Sequence, residues 1–219
     1  MGWKIEFVDS PTERTTAATD LLLVAIALFA VLYLQQIGQQ YPWKTNIWTF
    51  AFGLLALAAA LGAIVHGLEL SHKVKTRLWH LLYLTLGLVV ALFTVGAVLD
   101  LWGLVAAQWA LPLMLVVGLS FFGVTLIWPD NFLLFIIYQG VAMLFALVGY
   151  TWLALVDGLL NGAWLVVAGI LVTMIAAGVQ ASRAVLFTFI WQFDHNGTYH
   201  LIQIIGIVLL MVGLRAGLL

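Results

Sequence analysis

The chain has 219 residues, 65% hydrophobic and only 8% charged, with a mean hydropathy of +1.16. A soluble domain of this size needs far more polar surface to cover itself, so the composition predicts an integral membrane protein. A formal net charge of −1 argues against nucleic acid as a partner, and the absence of cysteine excludes disulfides, thiolate chemistry and cysteine-based zinc sites.

In chain order, residues 1–19 are polar and carry Glu6, Asp9, Glu13 and Arg14. They lack the basic start and short apolar core of a secretory signal, so no cleaved leader is expected. Seven apolar runs follow, covering about 21–37, 47–65, 81–99, 104–128, 132–156, 163–181 and 198–214. Each is near the roughly 20 residues a membrane-crossing helix requires. The fourth holds Gln108 and Pro112, a proline able to kink it. Beyond the sixth, apolar residues continue past Arg183 to Trp191. Runs this long and unbroken are not the short alternating segments of a transmembrane β-barrel. The expected fold is all-α, a single domain over 1–219 built as a bundle of seven transmembrane helices. Pro42, Asp100 to Gly103, Trp128-Pro129-Asp130 and Asp157-Gly158 mark short turns between them. No internal repeat is visible and the third to fifth runs hold few ionisable groups, which argues against a transporter or an ion path.

Seven spans put the termini on opposite sides. Lys4, Arg14, Lys73, Lys75, Arg77 and Arg183 then share the N-terminal side, and Lys44 and Arg215 the other. The positive-inside rule places the N-terminus in the cytoplasm and the C-terminus outside, in a plasma membrane or prokaryotic inner membrane. Trp3, Trp79, Trp128 and Trp191 fall at one interface and Trp43, Trp48 and Trp102 at the other, as an aromatic belt requires.

All five histidines share one side: His66 ends the second run, His72 lies in the loop, His80 opens the third, and His195 and His200 introduce the seventh. Glu69, Asp130 and Asp194 lie on the same face. Neutral imidazole is the commonest protein ligand for zinc, so His66, His80, His195 and His200 are the expected metal ligands. Four would close the site; three with a water would leave it open for hydrolysis. Glu69 is the expected general base, and Asp194 the carboxylate that orients a histidine. The simpler reading is that imidazoles at an interface need no metal, that Lys73, Lys75 and Arg77 form a solvated loop, and that His72 is exposed. His195 and His200 lie five apart, about 140° around a helix, so sharing one metal requires an irregular entry near Asn196-Gly197.

These residues resemble the alkaline ceramidase, progestin/adiponectin receptor and haemolysin III group of seven-span membrane proteins. Val65-His66-Gly67 is similar to the group's second-helix histidine site. Asp194-His195-Asn196-Gly197-Thr198-Tyr199-His200-Leu201 is similar to its seventh-helix histidine pair, with an aromatic residue before the final histidine. The stretch from His72 to His80 resembles the receptor branch's loop into the third helix, with His80 near the expected aspartate. The resemblance implies a seven-helix fold, zinc held by the histidines, and hydrolysis of a lipid amide or ester. Three departures stand out: Gly62 where the group usually has serine, His80 in place of the aspartate, and a histidine pair spaced by five rather than four. Asp9, Glu13 and Asp20 only loosely resemble the calcium-binding acidic segment of ceramidases. A second, calcium site is therefore not expected, and Asp20 reads as a helix N-cap.

Three readings follow from the sequence. The first is a zinc-dependent intramembrane hydrolase whose partners are the lipid bilayer and a lipid substrate. The second is a haem-binding electron-transfer protein with histidines from two helices as axial ligands. The third is a non-enzymatic seven-span protein with a structural or sensory role.

Overall fold

A computed structural model describes residues 6–36, 40–129, 131–156 and 160–218. The expectations for Trp3, Lys4, Ile37, Asp130 and the Asp157-Gly158 turn lie outside the described residues. The described chain forms helices α1 (Pro11–Gln35), α2 (Pro42–Gly67), α3 (His72–Ile127), α4 (Leu133–Leu155), α5 (Ala163–Ser182) and α6 (His195–Ala216). Between α5 and α6 lies an antiparallel hairpin of β1 (Leu186–Thr188) and β2 (Gln192–Asp194). All six helices are long and apolar enough to cross a membrane, which is consistent with an integral membrane protein.

The count differs from the expected seven because the third and fourth apolar runs are joined in α3, a helix of 56 residues. Gly103 interrupts it at φ 81°, ψ −177°, a conformation that only glycine adopts without strain. The two halves fold back on each other. A Cβ at Gly87 would lie 2.9 Å from the carbonyl oxygen of Gly118, and the reverse distance is also 2.9 Å. α3 therefore runs the length of the bundle, turns at Gly103 and returns.

The first helix begins at Pro11, ten residues before the apolar run. Ser10 is its N-cap, accepting a hydrogen bond from the Glu13 N–H at 3.4 Å, and Pro11 fills the first turn. The Ser10-Pro-Thr-Glu13 order is a helix-start pattern embedded in what reads as a polar tail. Asp20 is consequently a mid-helix residue, only 3% exposed, and not the N-cap expected of it.

The last helix runs without interruption from His195, so the expected irregular entry at Asn196-Gly197 is absent. Asp194 caps it: Oδ1 accepts from the N–H groups of Asn196 and Gly197, both at 2.9 Å. Ahead of it, α5 stops at Ser182 because Arg183 takes a left-handed conformation (φ 51°). The apolar residues beyond Arg183 become the hairpin, the one departure from an all-α chain among the described residues, closed by Phe187 stacked on Phe193 at 5.2 Å.

Small residues set the closeness of α5 and α6. A Cβ at Gly169 would come within 2.9 Å of the Gly206 carbonyl oxygen, so backbones pack directly there, as helix pairs in apolar surroundings commonly do. Trp48, expected at the interface, is instead 2% exposed in the core. It meets Phe93 edge-on at 5.7 Å, in a notch that the missing side chain of Gly96 leaves open.

Lys44, counted in the sequence only as a charge on the side opposite the histidines, is buried. Its Nζ lies 2.7 Å from Asp100 Oδ1, with side-chain exposures of 10% and 4%. Tyr150 donates to Asp100 Oδ2 at 2.7 Å, and Lys44 Nζ donates to the Gly217 carbonyl at 3.1 Å. A buried charge needs a counter-charge and saturated hydrogen bonds, and both are supplied here. The cluster ties α2, the turn of α3, α4 and the end of α6 together at one end of the bundle.

Candidate functional site

The opposite end encloses a cavity of about 730 Å³ whose wall takes residues from all six helices. Asp20 comes from α1, His66 from α2, His80 from α3, Phe135 from α4, Gln180 from α5 and His200 from α6. His195 is also on the wall, while His72 is exposed as expected, although it opens α3 and the expected loop of Lys73, Lys75 and Arg77 is the first turns of that helix.

Two histidine–carboxylate pairs dominate. The His66 Nδ1–H donates to Glu13 Oε2 at 2.7 Å, with side-chain exposures of 14% and 35%. The carboxylate fixes the tautomer, so Nε2 carries the lone pair. Trp79 meets the imidazole edge-on at 5.8 Å and holds the ring in orientation.

The second pair is deeper. His200 Nε2 lies 3.3 Å from Asp20 Oδ1, and Nδ1 lies 3.0 Å from Thr19 Oγ1. Thr19 donates its one hydroxyl proton to the Thr16 carbonyl at 2.8 Å, so toward His200 it accepts, and Nδ1 carries a proton. The hydrogen bond between Nε2 and Oδ1 then needs a second proton, which the pair shares. Asp20 Oδ2 is buried with no partner among the described residues and faces Gly62.

The expected catalytic carboxylates are placed otherwise. α2 ends at Gly67, and Leu68 is extended and bridged to Phe7, so Glu69 is exposed and does not line the cavity. Its backbone N–H donates to the Glu6 carbonyl at 2.9 Å. Asp194 is occupied as the cap of α6 and accepts a further bond from Thr16 Oγ1 at 3.3 Å. The carboxylates that do reach the histidines, Glu13 and Asp20, both come from α1. Their spacing of seven, with Thr16 between them, puts all three on one helical face. That signal is legible once Ser10 is recognised as the helix start.

The zinc implied by the resemblance does not fit this donor set. Among the described residues no three His, Asp or Glu side chains are grouped to hold an ion. His200 commits both ring nitrogens, and Glu13 takes Nδ1 of His66. The same commitments leave His200 without a free nitrogen for a haem iron.

The class is a bundle of long apolar helices, closed at one end by a buried ion pair and opened at the other into a cavity lined by His66, Asp20 and His200, with Glu13 bonded to His66. The chain belongs to a family of unknown function, DUF6962, whose model matches residues 15–219. No curated protein and no solved structure matches it.

Proposed function

We propose that the chain is an intramembrane hydrolase of a lipid amide or ester, with His66 as general base and Glu13 as the residue that positions it. The observation that carries this is the 2.7 Å bond to Glu13 Oε2 from Nδ1 of His66, a residue of the cavity wall, which leaves Nε2 as a proton acceptor. On this reading α3 crosses the membrane twice, giving seven crossings, and the cavity end with Lys73, Lys75, Arg77 and Arg183 is cytoplasmic.

The chemistry requires a water between His66 Nε2 and the substrate carbonyl carbon. His66 takes the water's proton as its oxygen bonds to the carbon. The tetrahedral intermediate then collapses, the carbon–nitrogen or carbon–oxygen bond breaks, and His66 returns the proton to the leaving amine or alkoxide. His80 and Asn196 are among the wall side chains able to donate to the developing oxyanion. Leu23, Leu55 and Phe132 supply an apolar wall for an acyl chain. The Asp20–His200 pair holds α1 against α6 and keeps Glu13 in place.

The test is fatty-acid release from a panel of N-acyl and O-acyl lipids by protein reconstituted in vesicles. Wild type releases fatty acid, and His66→Gln loses about 10²–10⁴-fold, the range a positioned general base contributes. Release by His66→Gln at the wild-type rate, or none from any lipid by wild type, overturns the reading.

A further inference from the structure

The hairpin between α5 and α6 presents an apolar tip that no described element covers. Phe189, Ile190 and Trp191 are 76%, 71% and 66% exposed. The ten residues from Ala184 to Phe193 contain no charged side chain. A water-facing turn is expected to be rich in Gly, Asn, Asp or Ser, and none of these occurs between Ala184 and Phe193. The fold does not bury this surface internally. Phe193 is buried beneath the ring of Phe187, which is 42% exposed, whereas Leu186 and the tip are exposed.

We infer that this hairpin is a membrane-dipping wedge whose tip sits among the lipid headgroups and upper acyl chains beside the cavity mouth. α5 has 20 residues, about 30 Å, which uses up the hydrocarbon thickness of a bilayer. The hairpin therefore begins at the interfacial zone, where aromatic side chains are favoured. Its boundaries are polar: Arg183 before β1, Asp194 at the end of β2 and His195 after it. Arg183 is exposed and on the cavity wall, placed to meet a lipid phosphate while the tip reaches the acyl region. Arg183 and His195 both border the cavity, so the wedge is attached at two points of its rim. Lipid from that leaflet meets the hairpin before the histidines. A second copy or another protein would also cover the tip, but the continuity of the uncharged segment with two membrane-length helices favours lipid. The inference stands whether or not the cavity hydrolyses anything.

The chain has no cysteine, so a single introduced thiol reports one position. Ile190→Cys carries a nitroxide label in phosphatidylcholine–phosphatidylglycerol vesicles, beside Val141→Cys on the exposed face of α4 and His72→Cys at the exposed, charged start of α3. Collision with dissolved oxygen and with a water-soluble nickel chelate is read for each. The label at position 190 should favour oxygen as the position 141 label does, and exclude the chelate relative to position 72. A chelate accessibility at 190 equal to that at 72 overturns the inference. So does a label at 190 shielded from both reagents, which would show the tip covered by protein.

Discussion

Gly62 on α2 and Asp20 on α1 stand so close that a Cβ at Gly62 would lie 2.8 Å from Asp20 Oδ2. The space beside Gly62 that a side chain would occupy is filled by a carboxylate arriving from another helix. Gly62→Ala should therefore destabilise the protein by about 1–3 kcal/mol, the usual cost of overpacking. Combined with Asp20→Ala it should cost less than the sum of the two single changes. Thermal unfolding of the detergent-solubilised proteins gives the comparison; strict additivity would mean that the two positions do not press on each other.

Asp20 itself separates shape from charge. The amide of Asp20→Asn can still donate to His200 Nε2, matching the proton placement that Thr19 imposes. Asp20→Ala leaves a buried imidazole nitrogen without a partner, at about 1–3 kcal/mol. The expected order of melting temperatures is wild type close to Asp20→Asn, with Asp20→Ala clearly below. An asparagine variant as unstable as the alanine one would show that the carboxylate charge is required.

Much of this architecture is legible in the sequence, because apolar runs of membrane length leave few alternatives. The cavity-lining histidines His66, His80, His195 and His200 share one end, as their places at the ends of those runs suggest. What escaped was the set of groups that satisfy them. Glu69 and Asp194 are near in sequence, but the break at Gly67 turns one away and the N-terminus of α6 claims the other. Glu13 and Asp20 reach the histidines only because α1 starts early, and hydropathy windows are blind to polar helical turns. The pairing of Lys44 with Asp100 escaped for the same reason: a paired charge and a solvated one look identical in sequence.

Chelation distinguishes metal from no metal directly. With the ring nitrogens of His200 taken by Thr19 and Asp20, chelator treatment should leave the melting temperature of wild type unchanged. A drop on chelation, abolished in the His66→Ala, His200→Ala double variant, would show that the two pairs open to admit an ion.

At the far end, Lys44→Met leaves Asp100 buried beside Tyr150 without its counter-charge, and about 3–5 kcal/mol should be lost. Replacing both partners, Lys44→Met with Asp100→Leu, should recover a good part of that loss. A double variant as unstable as the single one would show that the pair is held by Gly217 and Tyr150 and not by opposite charge.

Gly103→Ala places a Cβ on a backbone at φ 81°, and about 1–3 kcal/mol of strain is not the only expected effect, since the fold-back of α3 also depends on it. The strain should appear as a lowered melting temperature, with the Gly87–Gly118 contact weakened as the two halves splay. An unchanged melting temperature would mean that the turn relaxes into another conformation at little cost.

The turn at Gly103 has a bearing on how the molecule is assembled during synthesis. The halves of α3 pack on each other, and Asp100 lies three residues before the turn, at the tip of that pair. Lys44 precedes Asp100 in the chain, so the cation is already waiting when the acid arrives. Gly217 follows both in the chain, so its carbonyl is the last of these groups to join Lys44. The order of residues from the N-terminus is thus an order of assembly: the receiving charge first, the delivered charge second, and the carbonyl last.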